Sequence, residues 1–290
     1  MSGAGDVDKS KSVHTGACSV ESCMVEQAEK GFAANGDNYD AHRPGYTDEA
    51  VELIAETVTA GMSKLGGVAK YNVLELGAGT GKLTQQLIIK LPKSTSYLAS
   101  EPSRNFLETL EAKNLGVDTV LASVDSLSLP EGNVETVVCG QCFHWFCDTP
   151  NIEKIRRLMV PGGKLILLWN VNNMEDTWMK PMGEQRLKII KNVGGSLKHV
   201  LQTGEWQTDI EASPLFSLGS CLHLAGNHIV GDLDKIMSNI STVSAYNMLP
   251  EAERKSYLDE LRAVIQNWPG VDIQNLTMLM YTLLATYVAI

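Results

Sequence analysis

From Asn72 onward, short continuous apolar runs alternate with stretches in which apolar residues recur every three or four positions. The first pattern predicts buried strands and the second amphipathic helices. "NVLEL" thus predicts a strand, Gly81 to Lys90 a helix, "SYLAS" a strand, Ser103 to Asn114 a helix, and "DTVLA" a strand. "ETVVCG" predicts a further strand, Asn151 to Met159 a helix beginning after Pro150, and "KLILLWN" a strand. Strand and helix alternating at this spacing predict an α/β fold, a doubly wound parallel sheet with helices on both faces. After Asn173 the rhythm loosens into a partly helical stretch through Val200, a strand-like run from Leu218 to His228, and a helix from Pro250 to Asn267. The terminal "LTMLMYTLLATYVAI" is shorter than the roughly 20 residues a membrane-spanning helix needs, and its β-branched residues suit a buried strand.

Residues 1–30 are rich in Ser, Gly and charge without periodicity and are expected to be a disordered tail. The folded domain is expected over 31–290, with a core at 70–171 and an insertion plus C-terminal strands at 172–290. Within the segment "FAANGDNYDAHRPGY", Arg43-Pro44-Gly45 is a turn feeding a lead-in helix capped by Thr47, with Asp48 and Glu49 in its first turn.

Composition narrows the partners. Across 290 residues, 24 Lys and Arg face 34 Asp and Glu, a net charge of -10. That balance argues against a broad nucleic-acid surface and for a small-molecule partner. The six cysteines form no plausible disulfide framework in a chain this long and read as reduced thiols. With no apolar signal core, and Ser2 where myristoylation needs Gly, a cytoplasmic protein without a membrane anchor is expected.

The chemistry starts at "YNVLELGAGTGKL", where Gly77, Ala78, Gly79 and Gly81 make a bare turn between strand and helix. In a doubly wound sheet this turn meets strand ends and a helix N-terminus together. A dinucleotide loop needs its third glycine three residues after the second, where Lys82 stands instead. The next strand ends in Glu101-Pro102, and a carboxylate there can accept both hydroxyls of a ribose, a device shared by nicotinamide and sulfonium cofactors, or simply cap the following helix. Beyond the third strand, "ASVDSLSLP" offers Val124, Asp125 and Ser126, which taken alone can be turn residues.

The spacing from Glu75 to Gly81 resembles motif I of the class I S-adenosylmethionine-dependent methyltransferases. With Glu101, Asp125 and "LMVPGGKLILLWN", the chain resembles the type 11 methyltransferases, and within them small-molecule enzymes of the trans-aconitate, farnesoic and juvenile-hormone acid kind. "FAANGDNYDAHRPGY", "CFHWF", "WNVNN" and "ISTVSAYNMLP" are similar to further segments of that group. The departures are Glu135 in place of an Asp and Val171-Asn172 in place of a basic residue, which puts a substrate-carboxylate contact from that loop in doubt. The resemblance implies a Rossmann-like, seven-stranded, mostly parallel sheet with an antiparallel terminal strand and a helical cap. It also implies S-adenosylmethionine bound by Glu75, Gly77, Ala78, Gly79, Gly81, Glu101, Pro102, Val124, Asp125, Ser126 and Gln141 under a lid carrying Tyr39 and Arg43, without a metal. Methyl transfer to a carboxylate by in-line displacement is the expected reaction.

His144, with Tyr39 the candidate catalytic side chain, would be a base, a hydrogen-bond donor or a packed wall, and Arg43 a lid residue or a surface ion pair. A zinc site from Cys139, Cys142, His144 and Cys147 is disfavoured, because Cys139 and Cys142 stand an odd number apart along a strand. Trp169, Trp178, Trp206 and Tyr246 are either core or the wall of an apolar acceptor pocket. A catalytically silent S-adenosylmethionine-binding protein and a nicotinamide oxidoreductase are the rival readings.

Overall fold

The computed structural model describes residues 43–65, 69–174, 177–192, 201–247 and 249–290. Helix α1 (Asp48–Leu65) precedes β1 (Tyr71–Leu76), α2 (Lys82–Lys90), β2 (Tyr97–Glu101), α3 (Arg104–Ala112) and β3 (Asp118–Leu121). Next come β4 (Val134–Gly140), α4 (Thr149–Leu158) and the long β5 (Met159–Asn172). Helices α5 (Lys180–Asn192) and α6 (Thr208–Ala212) lead to β6 (Phe216–Ala225) and β7 (Ile229–Gly231). Helices α7 (Leu233–Ser241), α8 (Ser244–Asn247) and α9 (Glu251–Gln266), then β8 (Leu276–Met278) and β9 (Met280–Ala289), complete the chain.

Seven strands form one sheet in the order β3-β2-β1-β4-β5-β9-β6. Strands β1 to β5 pair in parallel, and β9 pairs antiparallel with both β5 and β6. This is a doubly wound, mostly parallel sheet, and its order reverses beside β1, where parallel sheets leave a crevice at their carboxyl ends. β1 and β2 are buried at every position, as continuous apolar runs demand when helices cover both faces. One face holds a core of Leu74, Leu76, Val137, Leu167 and Trp169 under α4 and α6. The other holds Val73, Ala99, Val138, Ile166 and Leu168 under α1, α2 and α3.

A third apolar cluster lies in the cap, where Met179 and, in α5, Met182 and Ile189 pack with Ile236 and Ile240 of α7 and with Tyr246. The cap therefore has its own core. It also contains a small β7-β8 sheet and helices α7 and α8, which, like α6 on the main sheet, the apolar pattern did not predict.

Two boundaries differ for local reasons. Helix α4 begins at Thr149, because Asp148 accepts the Asn151 backbone N–H and Pro150 fits the first turn, where its missing N–H costs nothing. Strand β5 extends back to Met159, including Pro161-Gly162-Gly163, with a register shift opposite Val134 and Thr136. The tail expected at 1–30 and the candidate Tyr39 lie outside the described residues.

Candidate active site

The crevice is built first by the turn from β1 to α2. Gly77, Gly79 and Gly81 all have positive φ, at 63°, 59° and 83°. Their surroundings differ. A Cβ on Gly77 would lie 2.9 Å from Cys142 Cβ, and one on Gly81 would collide with Leu110 Cδ1 of α3, whereas one on Gly79 would meet nothing within 4 Å. Packing therefore demands glycine at 77 and 81, and the open face of the loop is at Gly79.

Glu101, at the tip of β2, is 5% exposed and adjoins that loop. Its Oε2 accepts the Gly79 N–H at 2.8 Å, and its Oε1 accepts the Ser103 N–H at 2.8 Å. The carboxylate is thus oriented by backbone N–H groups on either side of the strand end. Helix α2 has no side-chain cap at its N-terminus, which leaves its first-turn N–H groups at the loop.

Around the loop is an open cleft bounded by the glycine turn, Arg43, Tyr46, Gln141, Asn170 and Met280. Its outer wall is the strap from Arg43 to Tyr46. The Gly45 carbonyl accepts amide N–H groups from Asn170 (3.0 Å) and Asn227 (2.9 Å). Gln86 of α2 clamps Tyr46 by accepting its N–H at 2.9 Å and donating to its carbonyl at 2.8 Å. Arg43 Nη2 donates to the Thr242 carbonyl at 3.0 Å, tying the strap to the cap.

Opposite the strap, Gln141 follows β4 with φ 63°, one of two non-glycine residues with positive φ among those described. Such strain, of order 1 kcal/mol or more, concentrates at ligand sites. Gln141 Nε2 donates to the Asn170 carbonyl at 3.2 Å. The same turn overturns the parity argument about the cysteines. Cys142 lies beyond the strand end, where its thiol donates to the Leu76 carbonyl at 3.0 Å. Burial, the adjoining Cys139 thiol, and Glu101 and Glu75 hold the Cys142 thiol well above its ordinary pKa, so it is a neutral packing group. Among the described residues no cluster of three His, Cys, Asp or Glu side chains is arranged to hold a metal.

Glu75 lines the cavity yet is only 1% exposed. Burial pushes its carboxyl up to about 7, against the hydrogen bonds that Thr84 (2.6 Å) and Tyr97 (2.7 Å) donate to Oε2, while the charge of Glu101 adds to the rise. His144 is 8% exposed in the single turn Phe143–Trp145 and does not border the cavity described. Its Nδ1 accepts the indole N–H of Trp169 at 3.2 Å. An indole N–H only donates, so Nδ1 carries the lone pair and the ring proton lies on Nε2.

These positions sort the candidate residues. Arg43, Glu75, Gly77, Ala78, Gly79 and Gln141 come together around the cavity, with Glu101 bonded to its Gly79 wall. Gly81 packs beneath on α3 rather than facing the cavity. Pro102, Asp125 and Ser126 are exposed and Val124 is buried, none of them in that lining. Trp169, Trp178, Trp206 and Tyr246 are 0 to 8% exposed and belong to the apolar cores, with the Trp169 and Trp206 rings 4.5 Å apart, so they do not form an exposed acceptor wall. Tyr46, Asn170 and Met280 were not singled out. The first two stand inside segments already quoted for the resemblance, whereas Met280 arrives from the antiparallel return of β9 and has no local signature.

Residues 73–163 match the family model described as "Methyltransferase domain". Over these residues the chain is similar to a methyltransferase domain. The matched residues contain the glycine turn, Glu101 and Gln141. Over most of its length the chain is similar to two proteins of Schizosaccharomyces pombe. An uncharacterized methyltransferase is 28% identical over 253 residues, covering 85% of this chain and 94% of the relative. A methyltransferase-like protein is 28% identical over 267 residues, covering 90% and 96%. A solved structure assigned to the type II methyltransferases, from Anaeromyxobacter dehalogenans, superposes with a TM-score of 0.59 at 16% identity, covering 85% of this chain and 97% of that one. It shares the fold of the methyltransferase domain. Among the described residues, no helix is long and apolar enough to cross a membrane.

Proposed function

We propose that the protein methylates a carboxylate of a small organic acid, with S-adenosylmethionine held across the Gly77–Gly79 turn. The observation that carries the donor site is the Glu101 carboxylate, oriented by the Gly79 and Ser103 N–H groups beside the one loop glycine whose Cβ direction is open. In this reading Glu101 grips the ribose hydroxyls, the turn accommodates the amino-acid end, and Val124 and Asp125 flank the adenine. The strap pinned by Asn170, Asn227 and Gln86 closes the site from water. Bound there, S-adenosylmethionine supplies an electrophilic methyl group on a sulfonium.

A carboxylate acceptor is ionised at neutral pH and needs alignment and desolvation rather than a base. The hydrogen bond from Trp169 supports this choice, because it leaves His144 with Nε2–H as a donor instead of a proton acceptor. His144 then orients and packs, and Gln141 fixes the floor of the site through Asn170.

The test is incubation with methyl-labelled S-adenosylmethionine and an organic-acid fraction, followed by mild alkali. A carboxyl methyl ester releases labelled methanol, whereas alkali-stable label would move the acceptor to oxygen, nitrogen, sulfur or carbon of another kind. Tight S-adenosylhomocysteine binding with no labelled product would support a silent binding protein instead. Stabilisation by a nicotinamide nucleotide and not by the sulfonium ligand would support the oxidoreductase.

A further inference from the structure

The cap and the main sheet are joined by two chain segments that run antiparallel, side by side. Strand β6 leaves the main sheet at Ala225, opposite Tyr281, and pairing resumes in β7 at Ile229, opposite Met278. Between those two pairs, Gly226, Asn227 and His228 face only Leu279 and Met280. Each of the three makes a different contact. A Cβ on Gly226 would collide with the Met280 carbonyl and lie 2.7 Å from Tyr281 Cα, so glycine is what lets the two backbones come this close. Asn227 donates its amide N–H to the Gly45 carbonyl at 2.9 Å, and His228 Nδ1 accepts the Met280 backbone N–H at 3.1 Å. A backbone N–H only donates, so the His228 ring presents a lone pair at Nδ1.

Both side-chain contacts end on walls of the donor cleft. Gly45 stands in the strap between Pro44 and Tyr46, which line the cleft, and Met280 lines it from the start of β9. Asn170 of β5 donates to the same Gly45 carbonyl at 3.0 Å, so the strap hangs from two segments at one oxygen. A third crossing into the cap is bonded here as well: Asn173, just after β5, donates its backbone N–H to the Leu279 carbonyl at 2.9 Å. Three consecutive residues, remote in sequence from the glycine turn, thus tie the strap to the strand that carries Met280.

We propose that His228, with its neighbour Asn227, is a positioning residue of the donor site: the pair holds the strap and Met280 as two walls of one cleft and so sets how tightly S-adenosylmethionine is kept. This rests on the donor-site reading above. Neither side chain lines the cleft. Both act through backbone atoms, the Gly45 carbonyl and the Met280 N–H. Without the Asn227 amide the Gly45 carbonyl keeps only Asn170, and without the imidazole acceptor the Met280 N–H loses its side-chain partner. Because the two side chains share one three-residue segment, loosening either contact slackens the other.

The experiment titrates the full chain with S-adenosylhomocysteine and with S-adenosylmethionine by calorimetry. Asn227→Ala and His228→Leu should each weaken binding about 3- to 10-fold, the scale of one lost hydrogen bond. His228→Asn should bind within about twofold of wild type, because its Oδ1 stands where Nδ1 stood and can accept the Met280 N–H. The double variant Asn227→Ala/His228→Leu should lose less than the product of the two single factors, as coupled neighbours do. Leu261→Ala, in the apolar core of the cap, separates positioning from stability: it should melt below both single variants yet bind within about twofold of wild type. Wild-type affinity in Asn227→Ala or in His228→Leu, or no recovery in His228→Asn, overturns the proposal. So does a Leu261→Ala affinity that falls in step with its melting temperature. Factors that multiply in the double variant make the two side chains independent and overturn the shared segment. Glu101→Ala keeps the two readings apart. Binding that survives Glu101→Ala removes the donor-site reading itself, whereas Glu101-dependent binding indifferent to Asn227 and His228 removes only this inference.

Discussion

Alanine at Gly79 and at Gly81 separates ligand space from packing space within one loop. Both residues hold positive φ, so alanine costs about 1–2 kcal/mol at either position through the left-handed backbone alone. At Gly79 nothing further is added, because its Cβ direction is open to 4 Å. At Gly81 the new methyl meets Leu110, and overpacking adds about 1–3 kcal/mol, for a total of about 2–5 kcal/mol. At about 2–4 °C per kcal/mol, Gly79→Ala should lower the ligand-free melting temperature by about 2–8 °C and Gly81→Ala by about 4–20 °C. Ligand binding should rank them the other way. The Gly79 methyl projects into the opening beside Glu101, so the affinity for S-adenosylhomocysteine should fall by about 5- to 150-fold, the equivalent of 1–3 kcal/mol of crowding. Gly81→Ala, measured at a temperature where it is folded, should bind within about threefold of wild type. Calorimetric melting and isothermal titration give both quantities. Wild-type affinity in Gly79→Ala, or an equal affinity loss in both variants, would refute the assignment of the open glycine to the ligand.

Glu75→Gln probes the buried carboxyl. A rise from 4.5 to about 7 means that the folded state holds the proton where the unfolded state has lost it, so stability falls as pH rises from about 4.5 to 7. The loss amounts to about 3 kcal/mol at 1.36 kcal/mol per pH unit. The glutamine variant, which can still accept from Thr84 and Tyr97, should show a flatter melting profile between pH 5 and 8; parallel profiles would contradict the buried titration. His144→Gln should retain kcat within about tenfold, whereas removal of a true general base costs about 10²- to 10⁴-fold, a loss that would restore His144 as the base. Trp169→Phe leaves the buried His144 Nδ1 without its donor and should lower stability by about 1–3 kcal/mol in denaturant melts; no change would mean that the hydrogen bond is not made. Gln86→Ala removes both bonds to Tyr46, and it should raise KM for the donor several-fold with kcat nearly unchanged, as for lost uniform binding; an unaltered KM would detach the strap from donor binding.

The parts of the site legible in the sequence were those made by neighbours in the chain. The glycine turn and Glu101 at a strand tip are local consequences of strand ending and helix beginning, and the apolar runs located both, whereas Gln141 came only with the family resemblance. What the pattern missed arrives from far along the chain. Met280 reaches the cavity because β9 returns antiparallel to β5, and Asn227 bonds Gly45 across 182 positions. The parity rule failed at Cys142 because a rule for extended backbone does not survive the left-handed turn at Gln141.

The most direct measurement of the central claim is a crystal structure of the protein with S-adenosylhomocysteine. The account predicts both ribose hydroxyls on the Glu101 carboxylate, the amino-acid end against the open face of Gly79, and the strap from Arg43 to Tyr46 closed over it. A ligand bound elsewhere, or a ribose that does not touch Glu101, would contradict it.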